Sequence, residues 1–293
     1  MKNILVTGVN GQVGSELKRI HSKHQSYRWF FTDRTTLDIS DELLFNSFIE
    51  KNNIDIIINC AAYTNVELAE KEIDKADIIN NLSLKNISTI VKRNNIKFVH
   101  ISTDSVFDGK KNGAYSENDR TNPLNVYSKS KLDGENQIKK INPQNTIILR
   151  VSWVYSIYGK NFVKTMLKLF STQNEVNIVY DQIGTPTHAA DIAKVIMDLI
   201  PSINNQDVEV YHYCSNGATT WYDFAIAIAD FFKINCKINP IESKDYGSNV
   251  LRPYSIILNK NKIKEKFNIH LPYWKDSLYN CLSQLEITGK GKS

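Results

Sequence analysis

The chain has 293 residues, about two domains' worth, which excludes a mini-protein or a lone binding motif. With 42% hydrophobic and 23% charged residues, 12 Gly and 7 Pro, it has the composition of a soluble globular protein and not of a disordered or collagen-like chain. The net charge of +5 is spread out, with no basic block longer than Lys110-Lys111 or Lys139-Lys140; it gives no support to nucleic-acid binding and suits an anionic small substrate.

Ile4-Leu5-Val6 opens the chain as a strand apolar on both faces, as a parallel sheet requires. Val13, Leu17 and Ile20 repeat at helical spacing, and Trp29-Phe30-Phe31 forms a second strand. Leu43, Leu44, Phe48 and Ile49 follow Ser40, which reads as the N-cap of a helix with Asp41-Glu42 in its first turn. Strand Ile56-Ile57-Ile58 leads to a helical face of Ala76, Ile79, Leu82, Leu84, Ile87, Ile90 and Val91. Strands at Phe98–Ile101 and Ile147–Leu149 flank a helix that begins at Tyr127. This alternation predicts an α/β protein with a Rossmann-type doubly wound parallel sheet.

From about residue 152 the alternation loosens. A tyrosine-rich loop precedes a helix near 161–172, a strand at 176–180, a helix over 188–200, a strand from Val208 to Tyr213 and an apolar helix from Thr219 to Phe232. The stretch from Asn235 to Arg252 reads as mostly loop, followed by a short strand and two closing helices. The expected division is a dinucleotide-binding domain over 1–151 and a smaller, mainly substrate-binding lobe over 152–293, with segments near 176–200 returning to the first domain. Gly289–Ser293 reads as a frayed tail.

Cys60, Cys214, Cys236 and Cys281 show no ligand spacing, so neither zinc nor a disulfide framework is expected, and a reducing compartment fits. No apolar run is long enough for a signal h-region or a membrane helix, so the expected location is cytoplasmic, with no membrane partner.

Gly8-Val-Asn-Gly11-Gln-Val-Gly14 directly follows the first strand and opens the first helix. Glycines there allow a tight turn and close backbone approach, and the helix N-terminus offers free N–H groups to a pyrophosphate. The bland alternative, a glycine-rich loop with no ligand, is disfavoured by that position between strand and helix. Asp33 ends the second strand about 20 residues on, where a carboxylate binds adenosine ribose, but the adjacent Arg34 could pair with a 2′-phosphate; NADPH and NADH are therefore not separated.

Tyr127 and Lys131 stand four apart on one helix face, where an ammonium lowers a phenol's pKa and suits it to proton exchange with a sugar or alcohol oxygen. The spacing alone is weak, because a chain with 14 tyrosines is expected to carry it by chance; its place after the hydroxyl-rich strand end Ser102-Thr103-Asp104-Ser105 carries the weight. Thr103 could hydrogen-bond the carbonyl that Tyr127 protonates, and Ser102 could help position the site. The bland reading makes these strand-end and surface residues, and the glycine turn decides against it. His21 and His24 lack partners for a metal set and read as surface residues. Trp153, Tyr155 and Tyr158 read as either an aromatic wall against a sugar ring or core cover, with the polar residues around them favouring the wall.

The constellation resembles the extended short-chain dehydrogenase/reductase family, on GVNGQVG, the Asn59-Cys-Ala-Ala62 strand end, STDSVF at 102–107 and YSKSK at 127–131. Within it the chain is similar over its whole length to the dTDP-4-dehydrorhamnose reductase branch, on INCAAYTNVELAE at 58–70, NPLNVY at 122–127, RVSWVY at 150–155, GKNFVKTML at 159–167, DQIGTPT at 181–187 and RPYSIILNKNKI at 252–263. The resemblance implies reduction of the 4-keto group of dTDP-6-deoxy-L-lyxo-4-hexulose to dTDP-L-rhamnose, for cell-surface polysaccharide synthesis, by NADPH or NADH. It implies catalytic roles for Thr103, Tyr127 and Lys131, with Lys131 also binding the cofactor ribose. Cofactor contacts would fall on Gly8, Asn10, Gly11, Gln12, Val13, Asp33, Arg34, Asp38, Ile39, Cys60, Ala61, Ala62 and Tyr63. Substrate contacts would fall on Thr64, Val66, Asp104, Ser105, Trp153, Asn161 and Arg252. Ser105 stands where many members carry an aromatic residue, which leaves the preferred 4-keto sugar open. Some relatives bind Mg through interface glutamates; Glu16 matches one, but Ala190 stands where another would be, so no required metal is expected. A homodimer stays open. The competing readings are a reductase of another nucleotide-linked 4-keto sugar and a non-catalytic nucleotide-binding regulatory subunit.

Overall fold

The computed structural model describes residues 1–287; the tail at 289–293 lies outside the described residues. The first half runs β1 (Lys2–Thr7), α1 (Gln12–Ile20), β2 (Tyr27–Phe31), α2 (Glu42–Lys51), β3 (Ile56–Asn59), α3 (Val66–Ala69), α4 (Ile73–Asp77), α5 (Ser83–Asn94), β4 (Lys97–Thr103), α6 (Val126–Ile141) and β5 (Thr146–Val151). There follow β6 (Val154–Tyr155), α7 (Phe162–Thr172), β7 (Glu175–Val179), β8 (Ile183–Gly184), β9 (Thr187–His188), α8 (Ala189–Leu199) and β10 (Glu209–Tyr213). The chain ends with β11 (Thr219–Thr220), α9 (Trp221–Phe232), β12 (Lys237–Ile241), α10 (Asn261–Phe267) and α11 (Trp274–Ile287).

Six strands form one sheet in the order β2-β1-β3-β4-β5-β10, every neighbouring pair parallel. The chain starts inside the sheet, goes outward to β2 and returns past β1 to β3. The order therefore reverses between β1 and β3, and the crevice at their carboxyl ends is the natural ligand position. Alternation along each strand sends residues to two covered faces. Ile4, Val6, Ile56, Ile58, Val99 and Leu149 pack with α1 and α8, while Leu5, Ile57, Phe98 and Ile148 pack with residues of α2, α5 and α6. A second core joins Tyr155, Val163, Met166, Phe170, Val176, Phe224, Ile228, Leu278 and Leu282, from segments that all follow β5. There β7 pairs with β12 outside the large sheet.

Four local expectations change, the first being the short strand after Arg252, where Ser255 and Leu258 make only isolated bridges. Asp41, not Ser40, caps α2, its side chain accepting from Leu44 N, while the Ser40 hydroxyl donates to Asp38. With the cap one residue later, Phe45 and Ile49 face the core and Leu43 and Leu44 are exposed. The helical face around 76–91 is broken by a π turn at Ile78–Leu82, which leaves Ile78 and Leu82 exposed and turns Asn80 inward, its amide bridging Tyr63 O and Ser130 Oγ. The stretch read as loop contains β12, where the strand-disfavouring Asn239 and Pro240 mask the apolar signal of Ile238 and Ile241. Among the described residues no helix is long and apolar enough to cross a membrane.

Candidate functional site

The glycine turn sits at the crevice between β1 and β3. Gly8 has φ +66°, and a Cβ there would lie 2.6 Å from Ala61 N; a Cβ on Gly14 would lie 2.5 Å from Gly8 O. Glycine at 8 and 14 thus lets α1 start against the β3 loop. Gly11 is the N-cap of α1 and offers no side-chain cap, leaving the first-turn N–H groups for an anion. The cradle fits a pyrophosphate.

Asp33 follows β2, as the spacing predicts. One carboxylate oxygen accepts from Thr35 and Thr36 and the other from Asn10 Nδ2 at 2.7 Å, and hydrogen bonds from Thr35 and Thr36 lower its carboxyl to about 2. Asp33 therefore orders the loop that carries Arg34 and Thr35. Arg34 is exposed and pairs with Asp38 at 3.4 Å.

The reactive cluster lies on the far wall. Asn125 caps α6 by accepting from Ser128 N, which starts the helix at Val126 and points Tyr127 and Lys131 to the end of β4. The Thr103 hydroxyl hydrogen-bonds the Tyr127 phenol and lies 2.9 Å from Ser105 Oγ. Burial pushes the phenol up to about 12, the Thr103 bond pulling it down and the Asp104 carboxylate raising it further. This differs from the expected lowering by Lys131: the Lys131 ammonium is bound to Ile101 O at 2.8 Å and lies 3.2 Å from His100 Nε2, and burial lowers its own pKa to about 8. Desolvation thus outweighs the attraction between the two side chains. Burial also raises Asp104 to about 6, although Ser152 Oγ donates to it at 2.5 Å.

These groups share a cleft of about 940 Å³, lined at one end by Gly8, Asn10, Gly11, Gln12, Val13, Asp33, Arg34, Asp38 and Ile39. Cys60, Ala61, Ala62, Thr64, Val66, Thr103, Tyr127, Lys131, Trp153, Asn161 and Arg252 line the rest. Asp104 and Ser105 line an adjoining recess of about 120 Å³ that shares Tyr127, Trp153 and Arg252 with the cleft. Tyr63 does not line it: its backbone is held by Asn80 and its hydroxyl donates to Glu72, turning the ring into a small cluster with Ala69 and Ala76. Of the three aromatic residues after β5, only Trp153 faces the cleft. Tyr155 is core, stacked on His188, and Tyr158 packs against the second core. Trp153 sits at φ +42° and stacks face to face on Trp221, ring centroids 3.5 Å apart. Glu16 is fully buried, accepting from Ser156 and Arg19, so its carboxylate faces the interior. His21 is exposed and sets its ring edge-on to Phe31.

Sequence reasoning missed Trp221, Thr35, Lys160, Gly159 and Gln182 around these spaces. Trp221 begins an apolar helix and looked like core; only its place over Trp153 marks it. A family model described as the RmlD substrate binding domain matches residues 1–287. A dTDP-4-dehydrorhamnose reductase of Aggregatibacter actinomycetemcomitans is 36% identical, over 98% of this chain and 100% of that one. Among solved structures, a dTDP-4-dehydrorhamnose reductase of Clostridium acetobutylicum superposes with a TM-score of 0.91 at 35% identity, covering 97% of this chain and 99% of that one. The Bacillus anthracis dTDP-4-dehydrorhamnose reductase in complex with NADP does so with a TM-score of 0.91 at 32% identity and the same coverage.

Proposed function

The chain belongs to the RmlD substrate binding domain family, and from that premise we propose that it is an NAD(P)H-dependent oxidoreductase of the dTDP-4-dehydrorhamnose reductase type. It reduces the 4-keto group of dTDP-6-deoxy-L-lyxo-4-hexulose, giving dTDP-L-rhamnose. The observation that carries this reading is the convergence of Thr103, Tyr127 and Lys131 on one wall of a cleft whose other end is the glycine cradle.

In this reading Gly8, Asn10, Gly11, Gln12 and Val13 hold the cofactor pyrophosphate, Asp33, Arg34, Asp38 and Ile39 its adenosine end, and Cys60, Ala61 and Ala62 the nicotinamide side. When bound, the cofactor supplies hydride to the sugar C4. A phenol pushed up to about 12 stays protonated at neutral pH, so Tyr127 holds the proton that the new C4 oxygen takes. The Thr103 hydroxyl fixes the carbonyl, and these donors meet charge as it develops on oxygen at that wall of the cleft. Lys131 provides the positive charge next to the phenolate left behind. Arg252, paired with Glu67 at 2.9 Å, is placed to exchange that partner for the sugar nucleotide's diphosphate. Trp153 stands at the sugar end, beside Thr64 and Val66, with Asp104 and Ser105 in the recess, while Asn161 lines the cleft where its amide donates to Gln12 Oε1 at 3.0 Å. We assign the cofactor mainly to residues 1–151 and a mainly substrate-binding role to the lobe over 152–293, whose Trp153, Asn161 and Arg252 join Thr64, Val66, Asp104 and Ser105 of the first domain. The reading keeps a homodimer, which sedimentation tests, and a cytoplasmic enzyme with no nucleic-acid partner.

The test is oxidation of NADPH and NADH by the purified protein with dTDP-6-deoxy-L-lyxo-4-hexulose, the sugar product identified by NMR. Formation of dTDP-L-rhamnose is expected. The C4 epimer would keep the chemistry and overturn the placement of the sugar at Ser105. No turnover with cofactor tightly bound would overturn the substrate and point to another nucleotide-linked 4-keto sugar.

A further inference from the structure

Behind Lys131 lies a row of buried polar side chains that the proposed reaction does not use: Thr7, Asn59 and His100, each 1% exposed. Their hydrogen bonds can be directed from one fixed point. The backbone N–H of Ala61 can only donate, and it points at Asn59 Oδ1 from 3.2 Å; Thr7 Oγ1 donates to the same oxygen at 2.5 Å. The atom Asn59 presents to His100 is therefore its amide nitrogen, 3.1 Å from Nδ1. An amide nitrogen only donates, so Nδ1 must carry the lone pair, and a neutral ring then bears its hydrogen on Nε2. That hydrogen points at Lys131 Nζ, 3.2 Å away. An ammonium has three donors and no acceptor, so it cannot receive this hydrogen, whereas an amine can, while still donating to Ile101 O.

We infer that His100 is a positioning residue for Lys131: locked as its Nε2–H tautomer by Asn59, it favours the amine form of Lys131 and so lets that ammonium give up its proton more readily. Burial keeps the ring neutral, and among the described residues Lys131 is the charged group that faces it. The other ionisable groups around Nζ are Cys60, just after β3, and Tyr127 and Glu135 on α6.

This rests on the reading of Tyr127 as the acid and deepens it. After the phenol proton has passed to the sugar oxygen, Lys131 as ammonium returns one proton to the phenolate through the solvent of the cleft they share. What remains is a phenol and an amine, and the amine accepts from His100 Nε2–H. One proton taken up from bulk solvent then recharges the amine, so each turnover consumes the hydride and one solvent proton. A lysine that titrates near the working pH serves both steps, where one with an ordinary pKa would serve only as a charge.

Two measurements on the full-length protein test this without relying on turnover. In histidine labelled with 15N, assigned by His100→Leu, the ring is expected as the Nε2–H tautomer at neutral pH; an Nδ1–H tautomer would overturn the inference. In lysine labelled at Nζ, assigned by Lys131→Arg, His100→Leu is expected to raise the Lys131 titration by about one unit, a tenfold gain in proton affinity. An unchanged titration would overturn it as well. If His100→Leu does not fold, His100→Gln provides the assignment and the wild-type tautomer decides alone. Failure of the wild type to reduce the 4-keto sugar would sink the functional reading and leave both NMR results standing.

Discussion

Replacing Glu135 with glutamine keeps the shape of the side chain and removes its charge, leaving the Arg150 guanidinium, 1% exposed, without a counter-ion. Glu135 joins α6 to the sheet: one oxygen accepts from Ser102 Oγ at 2.6 Å and Arg150 Nε at 2.9 Å, the other from Arg150 at 2.7 Å and Lys139 at 3.2 Å. Burial alone would raise this carboxyl, but the Arg150 charge and hydrogen bonds, with Lys139 and Ser102, hold it at about 2 against an ordinary 4.5. A folded pKa below the unfolded one contributes stability that is present above pH 4.5 and lost as pH falls through 2. That difference corresponds to about 3 kcal/mol. Removing one partner of a buried pair costs about 3–5 kcal/mol by an independent route, so the two magnitudes agree. Urea unfolding at pH 7 should show Glu135→Gln less stable by about 3 kcal/mol, or a Tm lower by about 6–12 °C. The gap from wild type should close between pH 4.5 and 2. A loss under about 1 kcal/mol, or a gap that stays constant on acidification, would refute the assignment of the pair as the tie between α6 and the sheet.

Three further substitutions probe the site. Tyr127→Phe should lower kcat by about 10²- to 10⁴-fold while NADPH fluorescence titration shows cofactor binding unchanged; turnover near the wild-type rate would remove Tyr127 as the acid. Asp104, raised to about 6 by burial, has a folded pKa above its unfolded 3.8, so the folded state gains stability as pH falls through 6 and lacks about 3 kcal/mol of it at pH 7. Asp104→Asn should therefore raise the urea midpoint at pH 7 and flatten the stability curve between pH 6 and 4, and an unchanged curve would show that the carboxyl is not desolvated. A Cβ at Gly184 would come within 2.3 Å of the Trp153 ring. Gly184→Ala should cost about 1–3 kcal/mol, shift the tryptophan fluorescence and raise KM for the nucleotide sugar; an unaltered KM would separate the tryptophan stack from substrate binding.

The inner strands of the sheet were legible because they are short apolar runs covered on both faces, and the cradle because glycines at 8 and 14 answer backbone approaches that no other residue permits. Tyr127 and Lys131 were legible by their place after a strand end. What the residues could not convey was direction. Tyr63 stands beside true cleft residues in sequence, but Asn80, turned inward by a π turn with no sequence mark, holds its backbone and Glu72 takes its hydroxyl. The electrostatics of the Tyr127–Lys131 pair also depended on partners more than 20 residues away, His100 and the Ile101 carbonyl, which the helical spacing does not contain.

The place of β10 in the sheet has a consequence for synthesis. The sheet's outer strand beside β5 is complete only 62 residues after β5 ends, and α8, which covers one face, lies between them. At about 5–20 residues per second the ribosome needs roughly 3–12 s to deliver that stretch. During this interval β5 presents an open, fully apolar edge, Ile147-Ile148-Leu149, with part of its cover missing. A nascent chain stopped at Val151 should therefore bind a holdase chaperone or aggregate, and one stopped well past Tyr213, with β10 clear of the exit tunnel, should resist protease; equal resistance of both would show that the first five strands close on their own.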